Sequence, residues 1–300
     1  MAERKNTTAY VIQSTREYLD SIFVEERLID SVVPSLELEL FGETFASPIM
    51  TPAFSHMQKF APEQKDGMCE YSKAMAGMHQ VNWIGMGEND EFARVAATGA
   101  RTIKIIKPYA DRGKILDQIA FAEAHGALAV GIDIDHIFGD DGNYDCVMGE
   151  DMAAQSADDI AALVQATSLP FIVKGVLSVT DAAKCAKIGV QGIVVSHHHG
   201  RMPYAVPPLM VLPEIAEEVG ASMKIFVDCS IDTGSDAFKA LALGADAVCV
   251  GRAMMPALKQ DGCQGVTDYV KKMNDELRMM MAFTGCRTLQ DITEDVLWQK

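Results

Sequence analysis

The sequence predicts a single (β/α)8 barrel, and three observations carry that expectation. Eight short apolar runs alternate with eight helix-like segments from Pro48 to Phe283. No change of composition interrupts them, and regular alternation of this kind implies a parallel sheet that closes at eight units. Polar side chains collect where the apolar runs end, which is where a parallel barrel builds its site. An open doubly wound sheet is the rival, but no Gly-x-Gly-x-x-Gly turn follows any run.

The elements follow in order. Residues 1–45 read as a helical lead-in, with helical periodicity over Thr7–Ile22 and Glu25–Val33, a break at Pro34, and a short hairpin or cap over Leu36–Phe45. The barrel is expected over 46–300. Its strands are expected at Pro48–Phe54, Val81–Met86, Arg101–Lys107, Ala129–Asp135, Phe171–Val176, Gly192–His197, Lys224–Ser230 and Ala247–Arg252. Helices are expected at Gln64–His79, Asp90–Thr98, Lys114–His125, Ala157–Thr167, Thr180–Ile188, Leu209–Val219, Ser235–Leu243 and Val266–Phe283. Gly99, Gly126, Gly189, Gly220 and Gly244 each follow a helical pattern, as left-handed C-terminal caps do. Ser156 and Thr233 or Gly234 are candidate N-caps. The weakly patterned stretch His136–Gln155 reads as a mobile loop over the site.

Composition narrows the function. Apolar residues make up 49% of the chain against 23% charged, enough for a substantial core. A formal charge of −16 disfavours nucleic acid and anionic membrane as partners. No apolar run is long enough to span a bilayer, and MAERKNTTAY lacks the apolar core of a secretory signal. The seven scattered cysteines form no Cys-x-x-Cys pair, which suits reduced thiols in a cytoplasm.

The strand ends supply the candidate site. They are Ser55 and His56, Lys107, Asp133, Asp135 and His136, Lys174, Ser196 to His199 with Arg201, Asp228, and Gly251 with Arg252. The centre is GIVVSHHHGR, a buried run that turns abruptly into serine, three histidines and arginine. Alternation along an extended chain would send His197 and His199 one way and His198 the other. Lys174 stands inside the apolar PFIVKGV, where a lysine needs a carboxylate partner or a ligand. Thr233-Gly234-Ser235 and Gly251-Arg252 follow the last two strands, where phosphate cradles commonly form. A rival reading makes His197, His199, His136 and Asp135 ligands of zinc or a similar ion in a non-redox barrel.

PFIVKGV, VVSHHHGR, FKALALGADAVCVGR and MMMAFTGC occur in the order and spacing of the FMN-dependent α-hydroxy-acid oxidase/dehydrogenase family, which the chain resembles over roughly its last 40%; SPIMTPAF and IKPYADR match more loosely. The resemblance implies FMN as cofactor and a small-molecule carboxylate, a 2-hydroxy acid or related carbon acid, as substrate. It implies His198 as general base, Asp133 as its partner, Arg201 on the substrate carboxylate, and Lys174 beside the flavin. It further implies flavin contacts at Ala53, Lys107, Ser196 and Asp228, a phosphate site at Gly234, Gly251 and Arg252, no metal, and a homo-oligomer with a tetramer as the candidate size.

The departures are specific. His197 and His199 replace an asparagine and a glycine beside the base. Lys107 stands where the family has a substrate tyrosine. Asp232 replaces a phosphate-binding arginine, and a carboxylate about 4 Å from a phosphate costs roughly 1–4 kcal/mol for effective dielectrics of 80 to 20. A flavin-binding barrel that has lost catalysis is therefore a further alternative.

Overall fold

A computed structural model of the chain describes residues 8–57 and 66–298. The expected helix starts at Thr7 and Gln64 lie outside those residues. The chain opens with helix α1 (Thr8–Ser21) and a hairpin, β1 (Leu38–Leu40) and β2 (Glu43–Phe45). The barrel proper follows as β3 (Ile49–Met50), α2 (Gly67–Gly77), β4 (Asn82–Ile84), α3 (Asn89–Ala96), β5 (Thr102–Ile106), α4 (Arg112–Ala124) and β6 (Ala129–Asp133). A second hairpin, β7 (Cys146–Val147) and β8 (Glu150–Asp151), interrupts the alternation. It resumes with α5 (Ala157–Val164), β9 (Phe171–Val176), α6 (Val179–Lys187), β10 (Gly192–Val195), α7 (Pro208–Val219), β11 (Lys224–Val227), α8 (Gly234–Ala242), β12 (Ala247–Cys249) and α9 (Met255–Phe283).

The eight barrel strands are all parallel, in the order β3-β12-β11-β10-β9-β6-β5-β4. All eight expected strands are present. Side chains close the seam between β3 and β4. The Thr51 hydroxyl accepts from the Trp83 N–H at 2.8 Å and donates to Asn82 Oδ1 at 2.9 Å, and Gly85 N–H reaches the Phe54 carbonyl at 2.6 Å. Gly85 must be glycine here, because a Cβ would lie 2.3 Å from the Ala53 carbonyl oxygen.

Trp83 and Phe226 meet edge to face inside the barrel, with ring centroids 5.0 Å apart. Phe41, at the tip of the first hairpin, packs on Phe226 from the end where the strands begin. The hairpin buries Leu38, Leu40 and Phe45 and points Glu39 and Thr44 outward, so it plugs that end with an ordinary two-residue alternation.

Most helix boundaries have local causes. Asp66 and Asp111 cap α2 and α4 through their carboxylates, and Ser156 and Thr233 form capping boxes with Asp159 and Asp236. Gly99, Gly126, Gly189 and Gly244 are left-handed after α3, α4, α6 and α8. Gly220 is not; it ends α7 in a right-handed conformation. Residues 25–33 do not form the expected second helix. Val24 makes a β-bridge with Leu297, Arg27 N–H bonds the Phe283 carbonyl, and these contacts with the end of the chain override the local periodicity. α9 starts eleven residues before its expected position and kinks at Asp261 and Gly262, which is left-handed at φ 56°.

Candidate active site

β6, β9 and β10 deliver the central cluster. Lys174 on β9 is 6% exposed and sits opposite Asp133 in the sheet register. Its ammonium lies 3.0 Å from Asp135, 3.9 Å from Asp133 and 3.2 Å from His198 Nδ1. Lys107, at the end of β5, donates to the other oxygen environment of the cluster, reaching Asp133 Oδ2 at 2.7 Å and His136 Nδ1 at 3.0 Å.

The structure places Asp135, not Asp133, in direct hydrogen bond with His198 Nδ1. Asp133 lies 3.6 Å from that nitrogen, and its Oδ2 is already taken by Lys107. Asp133 and Asp135 have the same parity along the strand, so both reach the barrel mouth. Space for Asp135 comes from Gly175, left-handed at φ 98°, where a Cβ would lie 2.5 Å from the Cβ of Asp135. The Lys-Gly pair inside an apolar strand was the available sequence signal for this aspartate.

Electrostatics follow from burial and the two lysines. Burial opposes ionisation of Asp133, but Lys174 and then Lys107 overcome it and hold the carboxyl well below its ordinary range. Burial, followed by the charge of Asp133, pushes Asp135 well above it. The Lys174 charge and then burial lower His198 to about 3, so its imidazole is neutral near pH 7. Nδ1 is engaged, and Nε2 makes no hydrogen bond among the described residues.

The three histidines separate by a turn rather than by alternation. His198 and His199 are both left-handed, with φ 46° and 60°, and both line the larger cavity. His197 turns away, with Nε2 bonded to Thr15 of α1 at 2.8 Å and Nδ1 accepting from the Gly200 N–H. His136 is likewise engaged at both nitrogens, by Lys107 and by Asp145 at 3.0 Å. The rival metal set of His197, His199, His136 and Asp135 therefore does not converge. Asp133, Asp135 and His198 do lie close enough to share an ion, but the ammonium groups of Lys107 and Lys174 occupy that space.

Two cavities meet at His198, Ala53 and Phe54. The larger, about 450 Å³, runs from Lys174 and His198 past Asp228 and Cys229 to Asp232, Gly251 and Arg252. The smaller, about 260 Å³, is bounded by Lys107, Asp133, His136 and Met86, with Val147 and Met148 of the second hairpin over it. The stretch expected to be a mobile loop thus contains a paired hairpin that covers the smaller cavity. Arg201, expected on the substrate carboxylate, lines neither cavity; it donates to the Phe138 carbonyl at 2.7 Å and pairs with Asp145 at 3.1 Å, a contact that no sequence signal indicated.

Two expected contacts fall elsewhere. Ser196 lines neither cavity; its hydroxyl accepts from the His198 N–H at 3.0 Å and so fixes the turn. Gly234 is packed against α9, where a Cβ would lie 2.1 Å from the Met273 carbonyl oxygen, and its N–H donates to Glu276 at 2.8 Å. Ala53, Lys107, Asp228, Gly251 and Arg252 do border the cavities.

An eight-stranded parallel barrel with an elongated cavity at its strand ends, a buried lysine on the wall and a histidine–carboxylate pair at the corner has the layout of a small-molecule site on a (β/α)8 barrel. The FMN-dependent dehydrogenase family matches residues 2–155 and 140–299, and the chain belongs to that family. It is 45% identical over 145 residues to an L-lactate oxidase of Roseobacter sp. (strain GAI101), an alignment that covers 48% of this chain and 39% of that protein. It is 43% identical over 143 residues to 2-hydroxyacid oxidase 1 of Mus musculus, covering 39% of it. The chain thus spans about two fifths of the length of these two relatives in alignment. With glycolate oxidase 3 of Arabidopsis thaliana the identity is 29% over 322 residues, 95% of this chain and 86% of that one. A solved mandelate oxidase variant with (S)-mandelic acid superposes with a TM-score of 0.88 at 27% identity, over 98% of this chain and 91% of the other. FMN is the cofactor of this family. The larger cavity fits its ring end, with volume inside the roughly 300–1,000 Å³ of small-molecule sites and a buried cation on the wall.

Proposed function

We propose that the protein oxidises a small 2-hydroxy acid or related carbon acid, using FMN held in the larger cavity. The observation that carries this reading is the His198–Asp135–Lys174 cluster at the corner where the two cavities meet. When bound, FMN accepts the two electrons removed from the substrate's α-carbon.

The chain's own residues do the rest. Neutral His198 takes the substrate proton at Nε2, and Asp135 on Nδ1 orients the ring. The ionised Asp133 carboxylate, 3.6 Å from Nδ1, favours the imidazolium that results. Lys174 holds a fixed positive charge against the cavity wall, in place before any negative charge develops. Lys107 on the wall of the smaller cavity draws the substrate carboxylate toward it, Arg201 joins it once released from Asp145, and Val147 and Met148 limit access of water.

The division into a lead-in of 1–45 and a barrel of 46–300, a cytoplasmic location and a homo-oligomer, with a tetramer as candidate size, belong to the same reading. The scattered free cysteines support the location, and among the described residues no helix is long and apolar enough to cross a membrane. The reoxidant is oxygen or another acceptor.

The test is anaerobic reduction of bound flavin by a panel of 2-hydroxy acids. At least one should bleach the oxidised flavin bands. His198→Ala should slow that single turnover on the order of 10²–10⁴-fold while flavin stays bound. A parent protein that binds flavin and is reduced by none of the panel would favour the catalytically silent alternative.

A further inference from the structure

The two ends of the larger cavity differ in charge, and the far end is poorly matched to a phosphate. On the functional reading above, the flavin ring lies at the end bounded by Lys174 and His198. The chain that leaves the ring must then end near Asp232, Gly251 and Arg252.

At that end Arg252 is the lining cation, with no ion pair among the described residues, and Asp232 faces it across the same cavity. The Asp232 carboxylate makes no hydrogen bond among the described residues. Three of the backbone N–H groups where α8 opens, a place that ordinarily binds an anion, are already filled by this chain's own carboxylates. Asp236 takes the N–H groups of Asp232 and Thr233 at 3.1 and 3.0 Å, and Glu276 takes that of Gly234. A second arginine does reach this corner, Arg16 of α1, but its guanidinium is paired with Asp236 at 2.7 Å and donates to the Ser230 carbonyl. One free arginine therefore faces one free carboxylate, with a nearly neutral balance where a phosphate brings close to two negative charges.

A carboxylate has no use for phosphate oxygens, which at neutral pH offer almost no donors. It does accept hydrogen bonds from hydroxyl groups. We propose that this end of the cavity is matched to an uncharged, hydroxyl-terminated flavin, so that Asp232 removes most of the advantage FMN would have over riboflavin.

The experiment is a fluorescence titration of the flavin-free full-length chain with FMN and with riboflavin, repeated for Asp232→Asn and Asp232→Arg. In the parent protein the two dissociation constants should agree within about tenfold. Each substitution should tighten FMN by about tenfold or more and leave riboflavin unchanged or weaker, with arginine the stronger of the two. A parent preference for FMN of more than about tenfold overturns the inference, as does a preference that neither substitution moves. Failure of both flavins to bind the folded parent would instead overturn the flavin reading on which this inference rests. Asp232 is exposed, so neither replacement disturbs the core.

Discussion

Single residues decide the chemistry, and Asp145 shows how. Its carboxylate occupies both the Arg201 guanidinium and the neutral His136 imidazole that lines the smaller cavity. Arg201 and the Asp145 carboxyl form a charge-assisted contact, and a substrate carboxylate has to compete with it. Asp145→Asn is therefore expected to lower KM for a 2-hydroxy acid by about two- to fivefold, the size of a partly exposed ion pair, with kcat unchanged. The dissociation constant of oxalate, read from perturbation of the flavin spectrum, should fall in parallel. An amide of the same hydroxy acid should show no such gain.

Elements place those residues, and the barrel seam is the element-scale test. β3 and β4 are joined through the Thr51 and Asn82 side chains rather than through a regular ladder, and Asn82 is held in turn by Thr102 of β5. The same seam fixes Ala53 and Phe54, which separate the two cavities. Thr51→Val keeps the shape and removes the hydroxyl, leaving the buried Trp83 N–H without its acceptor. The expected loss is about 1–3 kcal/mol, measured as a lower urea midpoint at constant m-value. A smaller effect is expected for Thr44→Val, on the exposed face of the first hairpin.

At the scale of the whole molecule, two half-buried histidines link folding to pH. Burial and then Lys107 lower His136 to about 4, and burial and then Arg252 lower His199 to about 4. Both lie below the ordinary value of about 6.5. Between about pH 6.5 and 4 the unfolded chain binds more protons at these sites than the folded one. Their contribution to stability is present above pH 6.5 and is lost as pH falls toward 4. Carboxyl groups such as Glu91, pushed up by burial, have the opposite sign, so the histidine contribution is best read as a difference. His199→Asn keeps a residue that tolerates the left-handed backbone and removes the titration. Its melting temperature should fall less between pH 7 and 5 than that of the parent.

The sequence by itself determined the architecture and the roster of the site. Eight buried runs with a period of strands and helices have one economical closure, and polar residues at the ends of buried strands collect around the barrel mouth. Lys174 was legible for that reason, whereas His198 was singled out from its two neighbours by the family resemblance. Tertiary structure decided the pairings. Whether Asp133 or Asp135 meets His198 depends on Lys107, which arrives from another strand, and on the missing Cβ of Gly175. The split of three adjacent histidines depends on two left-handed residues and on Thr15, 182 positions away. The fate of Gly234 depends on Met273 and Glu276 of α9. Local patterns fix which face of an element is buried. Hydrogen bonds between distant segments are set only when the packed elements bring their partners within about 3 Å, and no local pattern encodes that distance.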